Sequence, residues 1–318
     1  MDPKDFRDDF RDTETMDTLG NGVPVPDGGP EPMEITISSR GQVRDILRRF
    51  LRNRAAVLGL LIIIVLAACA IFPGEISSPD YVGRNLRARY LPPSAEHIMG
   101  TDELGRDIFT RIVWGCRTSL TIGLMSVFIA CIFGTAVGCV SGFYGGVVDN
   151  VLMRCVDILL AVPNLLLGIS IVAALGNSVP NLILAIGLGL TPSFARVTRS
   201  AVITVREEQY IEAARSTGAS NLRIIWKYVL PNAMAPIIVE ASMGIASAIL
   251  TISGLSFIGL GVPAPTPEWG SMLSSSRSYI RDHWNLITFP GVAIMITVFA
   301  FNLFGDGLRD ALDPRLKS

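Results

Sequence analysis

Glu240 is a carboxylate about eight residues into an apolar stretch that otherwise reads as a membrane span, where a charge is costly unless it faces a partner or water. It marks a candidate translocation path; a fixed ion pair or a position at headgroup depth is the competing reading. A second constellation, Glu212-Ala213-Ala214 followed by Gly218 and Leu230-Pro231, lies in a polar interruption between two apolar blocks. The run 196–231 carries six Lys and Arg residues. Enzyme chemistry has little to work with. Gly168-Ile169-Ser170 is the only arrangement suggesting a serine nucleophile, and both histidines, His97 and His283, fall in expected external loops, which leaves it without a base. No GxxxxGK[ST] occurs, so no phosphate-cradling loop is expected. The five cysteines form no CxxC pair and read as small buried hydrophobes. Two histidines do not make a His-rich metal site, and no basic tract argues for nucleic acid. The expectation is therefore no catalytic, cofactor or metal residues.

The elements that position these residues are spans. Half of the 318 residues are hydrophobic and 17% are charged, against about a quarter charged in soluble domains. Residues 55–72, 118–148, 158–195, 241–267 and 283–305 contain no charge. The third run is too long for one spanning helix of about 20 residues, and Gly176-Asn177-Ser178-Val179-Pro180 breaks it. The pattern predicts an all-α integral membrane protein with six transmembrane helices, near 55–72, 118–142, 151–174, 180–196, 232–260 and 285–305. An even number puts both termini on one side. From residue 40 onward that side carries 16 Lys and Arg against 8 opposite, so the termini and the Glu212 loop should be cytoplasmic. Residues 1–40 read as a disordered tail, 41–54 as an amphipathic helix on the membrane surface, and 55–317 as the membrane domain. The external loop 73–117 balances six arginines against six acidic residues and reads as a small folded element.

Within 196–231, Gly218 can take the left-handed conformation that ends a helix, Ser220 or Asn221 can cap the next, and Pro231 can end that helix or tilt it into the following span. Ala213 and Ala214 offer a smooth surface for a partner's backbone, with Glu212 and Arg215 at its edge; an ordinary connecting loop is the alternative. Arg106 and Asp107 are expected to pair with each other or to brace Arg111 and Arg117. Gly254, Gly259 and Gly261 suggest close helix packing. Trp269 suggests interfacial depth, and Asp157 a partner in Arg154 or a neighbouring chain.

The spacing Glu212-Ala213-Ala214, Gly218, Tyr228, Leu230-Pro231 resembles the coupling loop of ABC-importer permeases. Tyr228 stands where peptide-type members often have His. The segments 97–107, with Gly100-Thr101-Asp102 and Gly105-Arg106-Asp107, 254–270 and 301–315 are similar to dipeptide, oligopeptide and nickel permeases, and point to the C-type subunit. The resemblance covers about residues 42–317. It implies a type I ABC-importer permease fold with a cytoplasmic coupling helix, in a prokaryotic plasma membrane. It implies a homologous second permease, two cytoplasmic ATPase subunits that hold ATP and Mg, and an extracytoplasmic solute-binding protein. Thr101, Asp102, Gly105, Arg106 and Asp107 would then form an external gate or meet the binding protein. Import of dipeptides or oligopeptides by alternating access is the expected function; a nickel or metal-chelate importer of the same family, or an ion-coupled secondary transporter, are the alternatives.

Overall fold

The computed structural model describes residues 39–312. The expected 1–40 tail lies outside that range, apart from its last two residues, which begin the first helix. We number the main helices α1 (Ser39–Arg52), α2 (Arg54–Ile71), α3 (Ile108–Tyr144), α4 (Gly146–Ala161), α5 (Asn164–Leu175), α6 (Val179–Arg206), α7 (Gln209–Ser216), α8 (Asn221–Phe257), α9 (Trp269–Ser276) and α10 (Asn285–Leu312). Five of them, α2, α3, α6, α8 and α10, are long and apolar enough to cross a membrane. The pair α4 and α5 meets that test together but is bent by 88° at Val162-Pro163. Pro163 cannot donate to a helical ladder, so the chain breaks there.

Whether the bent pair crosses is decided by its neighbours. Ser126 Oγ on α3 donates to the Ile183 carbonyl on α6. Further along, Gly134 packs on Thr191 and Phe194, Gly138 on Ala195 and Thr198, and Gly142 on Arg199 and Val202. The near-constant offset between partners means that α3 and α6 run parallel. The end of α3 and the start of α6 therefore lie on opposite faces, and α4–α5 must carry the chain back between them. The sixth crossing is real, though kinked.

The remaining spans alternate in direction. Gly59 and Gly307 seat α2 against α10, Gly305 seats α10 against Met243 of α8, and Gly123 seats α3 against Ile245 and Ile249 of α8. One face thus holds Arg54, Tyr144, Arg206, Asn221 and Leu312; the other holds Ile71, Ile108, Val179, Phe257 and Asn285. The largest core cluster, including Ile122, Ile186, Phe194, Ile249, Leu255 and Trp269, joins α3, α6, α8 and α9. By contrast α2 leaves Leu58, Leu61, Ile64 and Val65 exposed, as a lipid-facing helix must.

The helices extend past the uncharged runs. Capped by Asp107, α3 starts ten residues before the run beginning at Thr118, and α6 continues ten residues beyond Arg196. A charge ends the hydrocarbon signal but not a helix whose neighbours keep packing. At the amino end, Asn53 interrupts the chain and its Oδ1 accepts from the Ala55 and Ala56 amides, starting α2. Phe50 is buried edge-on against Phe304 at 5.5 Å, whereas Leu47 and Leu51 stay exposed.

Candidate functional site

Helix α7 is short and amphipathic, and one residue anchors it. Ile211 is fully buried in a cluster with Cys139 and Phe143 of α3, Val202 of α6, and Ile224, Ile225 and Val229 of α8. Three long helices thus meet beneath α7, so displacing it displaces their ends. The opposite face presents Glu208, Tyr210, Glu212, Ala213 and Arg215 to the outside. Ala214 departs from expectation: it is half-buried against the cluster, so the smooth exposed surface consists of Ala213 with its polar neighbours. Burial, with the nearby Glu208 charge, pushes the Tyr210 phenol above its ordinary value.

Gly218 ends α7 as its spacing suggested. Its φ is +79°; the Gly218 amide donates to the Arg215 carbonyl and the Ala219 amide to the Ala214 carbonyl. This is the paired-bond termination that a left-handed residue permits, and it turns the chain into α8. Ser220 occupies the cap position of α8, without a side-chain cap bond. Pro231 does not end α8. Instead the helix widens into a π turn over Ile225–Val229, where the Leu230 amide bonds back to the Ile225 carbonyl. The wider turn relieves the clash between the Pro231 ring and the preceding carbonyls. Leu230 packs into the main core, and Tyr228 is half-buried against the α7 cluster, its carbonyl accepting from Asn232.

Ionic contacts brace the same end. Arg199 is bidentate on Asp149, which also accepts from Ser141, so α3, α4 and α6 are tied together. Arg206 donates to the last carbonyls of α3, Gly142 and Phe143. The Arg215 guanidinium lies 5.5 Å from the Phe143 ring centre. Asp157 pairs with Arg196 at 2.7 Å rather than with Arg154.

On the opposite face, Thr101–Asp107 forms a tight knot. Arg106 pairs with Asp102 at 2.7 Å and not with Asp107, because the chain turns at Gly105 and aims both side chains inward. Asp102 also accepts from the Leu104 and Arg106 amides and lies 3.7 Å from Arg111. Asp107 caps α3 through the Thr110 amide and meets His97. Thr101 is fully buried, bonded to Ala88 and Leu91. These residues hold the loop together; Arg106 and Arg111 offer little exposed surface. Arg117 is not part of the knot's ion pairs among the described residues.

Glu240 faces a cavity of about 670 Å³ between α6, α8 and α10, on the α7 side of the molecule. Arg309 and Asn232 line it too, among mainly apolar side chains.

Comparison with known proteins bears on this arrangement. Residues 134–318 match the family described as binding-protein-dependent transport system inner membrane component. Residues 41–93 match the N-terminal TM domain of oligopeptide transport permease C. The dipeptide transport system permease protein DppC of Alkalihalophilus pseudofirmus is 46% identical over 92% of this chain and 97% of its own. The chain belongs to this permease family. The di/tripeptide transport system permease protein DppC of Pseudomonas aeruginosa is 43% identical over 87% of this chain and 93% of its own. A chain of the inward-facing MetNI methionine ABC transporter superposes with a TM-score of 0.54, covering 65% of this chain and 98% of that one at 20% identity. That likeness concerns the fold, the type I ABC-importer permease fold. The permease is thus a multi-pass inner-membrane component of a system that depends on a binding protein and partner ATPases.

Several structural residues of the permease escaped the sequence reading. Glu268 is completely buried, its carboxylate accepting from the Gly270 and Ser271 amides at 2.8 Å and from Ser119 of α3 at 3.4 Å. Trp269 beside it is buried, not interfacial, and its indole donates to the Ile112 carbonyl. Its position in a proline-rich loop disguised it; the loop folds back between helices. Gly259 ends α8, and Gly261 fits close to Ser256 of the same turn, so neither brings two helices together. Gly254 alone of the three meets another helix, at Leu165. The glycines that matter most for packing are Gly134, Gly138 and Gly142, whose i, i+4, i+8 spacing was readable.

Proposed function

We propose that this permease imports short peptides, paired with a homologous second permease and driven by two cytoplasmic ATPases that carry the ATP and Mg. Both termini and α7 lie on the cytoplasmic side, and an external binding protein delivers the peptide. ATP binding draws the ATPases together, their motion is taken up by Glu212, Ala213 and Arg215 on the exposed face of α7, and Ile211 passes it to the ends of α3, α6 and α8. Alternating access of a shared cavity follows. The observation that carries this reading is the seating of Ile211 where three long helices end, which makes α7 a lever rather than a connector. The excess of Lys and Arg on the α7 side supports the orientation. The naming of relatives as dipeptide permeases, at 46% identity across nearly the whole chain, supports the substrate class.

The test is uptake of labelled dipeptide into vesicles containing the complete transporter, with ATP hydrolysis measured in parallel. Glu212→Arg reverses the charge on the docking face, and Gly218→Val forces a β-branched residue to φ +79°, a left-handed strain of about 1–2 kcal/mol. Both variants should insert normally and hydrolyse ATP, yet lose at least about tenfold in uptake, the equivalent of about 1.4 kcal/mol of coupling. Uptake at the normal rate in both, or uptake without ATP, would count against the reading.

A further inference from the structure

The cavity beside Glu240 has features that the coupling role does not require. Its volume, about 670 Å³, falls within the range of about 300–1,000 Å³ typical of small-molecule sites. Its walls are mostly apolar, including Val239 and Met243, with one carboxylate, Glu240, one guanidinium, Arg309, and one carboxamide, Asn232. Neither Glu240 nor Arg309 has an ion-pair partner among the described residues. They come from different helices, α8 and α10, so the opposed charges stand on separate walls of one space. A carboxylate inside a span stays unpaired only where water or a charged ligand reaches it.

We infer that this cavity is a zwitterion site: Glu240 receives the α-ammonium of a short peptide, Arg309 receives its α-carboxylate, and the apolar walls accommodate side chains without selecting among them. The inference rests on the peptide reading above and specifies where and how that substrate is held on the α7 side. A guanidinium suits a carboxylate because its donors are planar and forked, and a carboxylate accepts from an ammonium with charge assistance. Apolar walls of low shape specificity suit a transporter that must release many side chains. The two charged contacts then supply recognition of the part common to every peptide, its termini.

The experiment uses the purified permease–ATPase complex without binding protein, so that the binding protein's own selectivity does not enter. Equilibrium binding is measured for dialanine, N-acetyl-dialanine and dialanine amide. Glu240→Gln should weaken dialanine and its amide about tenfold while leaving the affinity for N-acetyl-dialanine unchanged, as loss of one charge-assisted contact requires. Arg309→Gln should show the mirror pattern, sparing dialanine amide. Each variant is compared with itself across three ligands, so partial misfolding cannot imitate the pattern. Equal weakening of all three ligands, or of none, overturns the inference. So does a wild-type complex that imports dialanine but does not bind it. Failure of the complete wild-type system to import any peptide would instead remove the peptide reading itself.

Discussion

Replacing Gly138 by leucine should force α3 and α6 apart and leave little folded permease. A Cβ at Gly138 would sit inside the contact distance of the Ala195 carbonyl, 2.8 Å from the Thr198 Cβ and 2.9 Å from the Arg199 amide. Two of those three atoms are backbone, and a backbone cannot yield as a flexible side chain can. Gly134 and Gly142 meet Thr191 and Arg199 carbonyls at 2.7 and 2.9 Å in the same way, so the three glycines form one continuous seam. Without a hydrophobic force between helices in lipid, such close backbone approach is what makes association favourable. Over-packing alone costs about 1–3 kcal/mol, and a seam that cannot relax puts leucine at the upper end or beyond. Size-exclusion profile and thermal melt of the purified protein are the readouts. Leu at Gly146, where a Cβ would meet nothing, is unsuitable as a control because φ is +56° there. Gly291→Leu, on the open face of α10, is the proper comparison and should behave as wild type. A Gly138→Leu protein as stable as the Gly291 variant would show that the seam is not needed.

Glu268→Ala is expected to have the second large effect. Its carboxylate holds the Gly270 and Ser271 amides in the first turn of α9 and the Ser119 hydroxyl, and no water replaces it at a site with zero exposure. Truncation orphans the buried Gly270 amide and the half-buried Ser271 amide and empties the space between α3, α8 and α9, which together should cost about 3 kcal/mol or more. The sign of its pH dependence is also determined. Burial pushes the Glu268 carboxyl above its ordinary value of 4.5, with the hydrogen bonds from Gly270, Ser271 and Ser119 opposing this. A raised folded-state value means the native protein binds the proton more tightly than the unfolded chain. This contribution is complete below 4.5 and is lost as pH rises through the raised value. The melting temperature of wild type should therefore decline over that window. Glu268→Gln, neutral at every pH, should lack the decline while melting below wild type at acidic pH. A variant with the wild-type pH profile would assign the titration to another group.

How far these residues were legible depends on the range of the forces that place them. The uncharged runs revealed the spans because desolvating a charge is costly wherever the chain goes, and the break at 176–180 was readable because Gly and Pro act locally. Gly218 was equally legible: a left-handed helix end is decided by one residue and its immediate neighbours. The pairing of Arg106 was not. Adjacent residues in an irregular loop point where the turn sends them, and the turn at Gly105 directs Arg106 to Asp102 and leaves Asp107 to cap α3. Ala214 was misread for a related reason, since which side of α7 is buried depends on Phe143 and Val202, far away in sequence.

The sequence by itself determined that this is a helical membrane protein, which segments are apolar enough to be candidate spans, and where a helix–turn–helix stands outside the bilayer; all of these follow from local hydrophobicity and backbone preference. The tertiary structure alone decided that α3 and α6 run parallel, and so that the bent pair crosses. It alone buried Glu268, seated α7 on the ends of three helices through Ile211, and set Glu240 and Arg309 around one cavity. Those facts depend on contacts between residues tens to more than a hundred positions apart, whose energies no local window contains.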